Sequence, residues 1–130
     1  LVVMAIALSG FIYYNRVLKN NAWNSADTLY ATLVEWVANR DPDAMVMINN
    51  PPAYRYHGGG LSVVVPNENL AVTLQVARRY GVDYLILDPN HPAPLDQVYN
   101  QPLVQPGLDL VKVFAEGSGH EVYVFKIIKP

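Results

Sequence analysis

The stretch "LSVVVPNENLAVTLQVARRYGVDYLILD", Leu61 to Asp88, decides the fold class. It opens on a run of β-branched residues that Pro66 closes. Pro66 cannot donate to a strand ladder. Asn67 then offers a helix cap, and Leu70, Leu74 and Ala77 recur at helical spacing on one side. Arg78 and Arg79 fall in the last turn, where cations suit the helix dipole. Gly81 fits the left-handed position that ends helices. "DYLIL", Asp83 to Leu87, is a continuous apolar run of strand length, as in a strand covered on both faces. Strand, helix and strand in this order form a βαβ unit, with parallel strands and a right-handed connection.

The flanking segments extend this unit. Upstream, "AMVMI", Ala44 to Ile48, reads as a further buried strand. Before it, Leu29, Leu33, Trp36 and Val37 make one apolar stripe of a helix. Asn24 or Ser25 can cap that helix, Asp27 suits its first turn, and Pro42 stops it near Arg40. Downstream, "LDQVYN", Leu95 to Asn100, reads as a short helix. "LDLVKVFAEGSGHEVYVFKII", Leu108 to Ile128, reads as a β-hairpin about a Gly-Ser-Gly turn. The expectation is a small layered α/β domain over residues 19–130. Its mixed sheet has about five strands, with parallel strands inside and the antiparallel hairpin at one edge.

Residues 1–18 stand apart. "LVVMAIALSGFIYY", Leu1 to Tyr14, carries no charge. It spans roughly 21 Å as a helix, short of the ~30 Å hydrocarbon core. It reads as the end of a transmembrane helix, as a signal-peptide core, or as a buried soluble helix. A start at Leu rather than Met and the lack of a polar face favour the first. Tyr13, Tyr14, Arg16 and Lys19 favour it too, because they suit a membrane interface.

Composition excludes several functions. The 130 residues are 52% hydrophobic and 15% charged, with no cysteine and a net charge of −2. Disulfides and cysteine zinc sites are therefore absent. Nothing resembles the electrostatic footprint of a nucleic-acid binder. His57, His91 and His120 show no metal-ligand spacing. No cofactor is expected.

"NNPPAYRYHGGG", Asn49 to Gly60, invites chemistry and fails two tests. His57-Gly58-Gly59-Gly60 matches an esterase oxyanion motif, but no G-x-S-x-G elbow accompanies it. A phosphate loop needs a following helix, whereas a strand follows here. The glycines are read as supplying positive φ at a turn. Tyr54 and Tyr56 are read as sharing one side of an extended segment, where they either cover the sheet edge or stack on a sugar. In α/β sheets, ligands lie beyond the carboxyl ends of parallel strands. Those ends carry Asn49 and Asn50, then Asn67 and Glu68, then Asp88, Asn90 and His91. If the first strand is parallel to the others, these groups rim one crevice. The same residue types also serve as turn formers and helix caps.

"DPDAMVMINNPPAYRYHGGGLSVVVP", followed by a helix ending in "ARRYGVDYLILD", resembles a known family. It is similar to the C-terminal extracytoplasmic domain of prokaryotic multi-spanning glycosyltransferases of the GT-C type, the dolichyl-phosphate-mannose–protein mannosyltransferase-like group. The likeness covers most of residues 25–90 and fades over the hairpin. It implies a membrane-bound parent protein that transfers sugar from a polyprenyl-phosphate donor. The family's catalytic acid lies in an early loop outside this chain, so no catalytic residue carries over. The domain would be a lid or acceptor-recognition element, with the membrane, the parent protein and a sugar or lipid-linked sugar as partners. Arg16 and Lys19 depart from this picture, because the positive-inside rule places such charges in the cytoplasm. The other reading is a membrane-tethered α/β ligand-binding or interaction module unrelated to sugar transfer.

Overall fold

The computed structural model of the chain describes residues 28–129. The expected membrane helix of residues 1–18 and the caps at Asn24 and Ser25 lie outside the described residues. No helix among the described residues is long and apolar enough to cross a membrane.

Residues 28–40 are helical (α1) and stop where expected, one residue before Asp41. Leu33, Val34 and Val37 bury one stripe of α1 against the sheet. Strand β1 (Val46–Ile48) follows and is buried along its whole length. Next come α2 (Pro51–Tyr56), β2 (Ser62–Val64), α3 (Leu70–Arg79) and β3 (Tyr84–Leu87). A 3-10 turn (Ala93–Leu95) leads into α4 (Asp96–Asn100), and the chain closes with β4 (Leu108–Phe114) and β5 (Val122–Ile127).

The five strands form one sheet in the order β2-β1-β3-β5-β4. β1 pairs in parallel with both β2 and β3. β5 pairs antiparallel with β3 and with β4, and a bulge interrupts the hairpin between Leu110 and Lys112. The architecture expected from the sequence is therefore present: a mixed sheet, a parallel half and an antiparallel hairpin at one edge. β1 lies between the two strands of the βαβ unit, so those strands are parallel without being neighbours.

The alternation of side chains along each strand makes two apolar layers. Val46, Ile48, Tyr84, Ile86 and Val124 face α1 and the buried Tyr54 of α2. Met47, Leu85, Leu87, Phe125 and Ile127 face α3, the 3-10 turn and α4. Trp36 of α1 meets Tyr84 and Phe114 edge-on, with centroids 6.0 and 6.3 Å apart.

Two local expectations are corrected. The cap of α3 is Asn69, whose side chain accepts the Val72 N–H at 3.0 Å; Asn67 does not cap it. The register that buries Thr73, Leu74 and Ala77 starts the helix at Leu70. A cap must stand immediately before the first helical residue. The second correction concerns "PPAYRY", which is helix α2 and not extended. Parallel neighbours β1 and β2 run the same way, so the chain must cross back between them, and a helix commonly makes that crossing. Asn50 caps it, accepting the Ala53 N–H at 3.2 Å. Pro51 and Pro52 occupy the first turn, where a missing N–H costs nothing.

Candidate functional site

The carboxyl ends of β1, β2 and β3 point to one end of the sheet, because all three run in the same direction. The polar groups predicted there from sequence do collect at that end, with different fates. Asn49 is half-buried just past β1. Asn50 is committed to the α2 cap. Asn67 and Glu68 are exposed past β2, and the Glu68 carbonyl accepts the buried Thr73 hydroxyl at 3.4 Å.

The tyrosine pair separates. Tyr54 is 2% exposed and belongs to the core, whereas Tyr56 is 86% exposed. Two residues apart on a helix is roughly 200° of rotation, so the rings cannot share a side as they would on an extended chain. Only Tyr56 can meet a ligand. Its ring stands edge-on to His57, centroids 5.2 Å apart, and Tyr30 of α1 stacks on His57 at 5.9 Å.

The glycines after His57 have separate jobs. Gly58 takes φ +92°, as the turn reading requires. Gly59 is needed for space, because a Cβ there would lie 2.4 Å from Tyr54 ring carbons. Arg55 Nη1 donates to the Gly59 carbonyl at 3.1 Å and ties the turn back to α2.

Past β3 the loop is tightly hydrogen-bonded. Asp88 Oδ1 accepts the Asn90 N–H at 2.9 Å. Burial pushes the Asp88 carboxyl above its ordinary value, against the opposing pull of the Asn90 N–H and of His91. Burial also raises the Tyr30 phenol, and the negative charge of Asp88 adds to the rise. Asn90 is exposed. His91 is held by the main-chain oxygen of Asp88 and by Asp96, and its ring stacks on Tyr99 with centroids 4.4 Å apart.

Sequence reading missed Tyr30, Asp96 and Tyr99 as members of this end of the molecule. Tyr30 comes from a different element of the fold, and no local spacing announces it. Asp96 and Tyr99 follow His91 by five and eight residues, a spacing that becomes meaningful only once α4 is seen to bring both side chains against the His91 ring.

The opposite end of the sheet holds a half-open recess of about 410 Å³ lined by Asp41, Asp83, Tyr84, Asp109, Lys126 and Lys129, among others. Several of its charges are already engaged. Asp83 Oδ2 accepts the Met45 N–H at 3.0 Å and its Oδ1 accepts from Lys129 Nζ at 3.2 Å. Asp109 lies opposite Lys126 in the hairpin register. The Asp83 contacts tie Met45 and Lys129 to the start of β3. Among the described residues no group of three or more His, Asp or Glu could hold a metal ion.

The chain matches no protein-family model, no curated protein and no solved structure.

Proposed function

We propose that this domain is the accessory, non-catalytic part of a polytopic membrane glycosyltransferase that uses a polyprenyl-phosphate sugar donor. It would stand outside the cytoplasm, beside the membrane-embedded active site, as an acceptor-recognition element or lid. It would need no cofactor of its own. The reading rests on the resemblance over residues 41–66 and 77–88. Those segments correspond to β1–α2–β2 and to the end of α3 with β3, the parallel half of the sheet.

One observation carries the proposal. One end of the sheet carries the polar groups of Asn49, Asp88 and Asn90, and the helix that leaves it, α2, ends on an exposed aromatic ring, Tyr56. An aromatic face suits the apolar C–H face of a sugar, and amide and carboxylate groups suit its hydroxyls. Tyr54 is excluded from this role by its burial.

The test is made in the full-length parent protein. Tyr56→Ala and Asn90→Ala are expected to raise the acceptor KM several-fold while the donor KM stays unchanged. An unchanged acceptor KM in a folded variant would sink the recognition role. A parent gene without many upstream membrane spans would sink the transferase assignment itself.

A second reading is favoured by Arg16 and Lys19, which follow the apolar segment and vote for the cytoplasmic side. Under it the domain is a membrane-tethered binding or interaction module with a single upstream span. It predicts that the same rim binds a ligand without any dependence on a sugar donor.

A further inference from the structure

The loop after β3 runs from Asp88 to α4 and shapes the rim. His91 sits at its centre with a side chain only 8% exposed. Both of its ring nitrogens face oxygen acceptors. Nδ1 lies 2.7 Å from the main-chain oxygen of Asp88. Nε2 lies 2.6 Å from Oδ1 of Asp96, a residue whose own side chain is 64% exposed. A carbonyl and an ionised carboxylate have no proton to donate. A neutral imidazole has one N–H and one lone pair, so it can satisfy one of these oxygens and must confront the other. The doubly protonated ring satisfies both.

The surroundings suit a cation. The Tyr99 ring lies over the imidazole at 4.4 Å and 22°, presenting its electron-rich face. Tyr99 is itself fixed, since its hydroxyl donates to the main-chain oxygen of Glu121 at 2.7 Å and its ring meets Tyr123 edge-on. The titratable groups around His91 come from three parts of the fold. Asp88 directly follows β3. Asp96 and Tyr99 belong to α4. Glu121 and Tyr123 belong to the β5 side, and the Glu121 carboxylate is turned to the Gly119 N–H at 3.2 Å.

We propose that His91 is a proton-dependent clasp that ties the end of β3 to the start of α4. With the ring doubly protonated, the main-chain oxygen of Asp88 and the Asp96 carboxylate are held together through it, and the rim loop is ordered. As pH rises and the ring gives up one proton, its bare nitrogen faces an oxygen lone pair. One tether is lost, and the exposed Asp96 turns to solvent. Loop order is thus present while the ring is doubly protonated and falls once one ring proton is lost. The inference stands apart from the sugar-recognition reading, because its readout is loop order and not turnover.

The experiment follows the full chain by NMR between pH 5 and 9. It records the His91 ring nitrogen shifts and the exchange of the His91 and Leu95 amides, which donate to Asp88 and Pro92 oxygens within the loop. Exchange rates are corrected for their intrinsic dependence on pH. In the wild type, protection should drop on the order of tenfold in step with loss of the second ring proton, the scale of one charge-assisted hydrogen bond. Asp96→Asn should remove the step and keep most of the protection, because an amide can accept from an N–H or donate to a bare nitrogen. A flat wild-type profile through the ring titration would overturn the clasp. So would a singly protonated ring in the protected loop, or a full step persisting in Asp96→Asn.

Discussion

A methyl group added at Gly59 would stand 2.4 Å from two ring carbons of Tyr54 and 2.6 Å from its main-chain oxygen, whereas at Gly60 it would meet nothing within 4 Å. Gly59 must be small because the α2 turn folds its backbone onto a buried ring. Gly59→Ala should therefore lower stability by about 1–3 kcal/mol through overpacking. Gly60→Ala, at an exposed position, should stay within about 0.5 kcal/mol. Urea unfolding of the two variants distinguishes this account from one in which the glycine run is merely permissive, which predicts equal effects. Three identical letters conceal three roles, a positive φ at Gly58, a close approach at Gly59 and open space at Gly60. Composition reveals only that a turn is present. Which glycine is constrained depends on where Tyr54 goes, and that depends on α2 being helical.

At the scale of elements, caps decide where helices begin. "PNEN", Pro66 to Asn69, offers two asparagines, and Asn69 is the one that accepts the Val72 N–H. Asn69→Ala should cost about 1 kcal/mol, the usual value of a side-chain cap, and Asn67→Ala should cost little. Thermal or urea unfolding of the pair checks this, and the reverse order would show that α3 starts earlier in solution. The choice was not legible locally, since both residues are good caps. It follows from which residues α3 buries on the sheet. α2 shows the converse. Asn-Pro-Pro is a recognisable helix start, but the aromatic and glycine-rich remainder of the segment invites an extended reading. Parallel pairing of β1 and β2 settles the matter, because their ends can be joined only by a crossover.

On the whole molecule, the sheet order places β1, β3 and β5 inside and leaves β2 and β4 at the edges. Met47, Leu85 and Phe125, all 0% exposed, should show the slowest amide exchange, and Val63 and Val64 of edge strand β2 should exchange far sooner. Hydrogen exchange read residue by residue checks this. Slowest exchange on β2 would contradict the strand order. Residue pattern was enough to specify the strongly periodic elements and the layered α/β class. Apolar runs of strand length must be covered on both faces, and helices with one apolar stripe must supply the cover. It also determined that polar residues follow each parallel strand. Only the packing of whole elements decides that β1 sits between β2 and β3, that Tyr54 enters the core while Tyr56 stays exposed, and that Tyr30 stacks on His57 and Asp96 closes on His91. These are contacts between segments distant in sequence or turned by a helix. Their geometry is set by how whole elements pack, and no local pattern of residues encodes it.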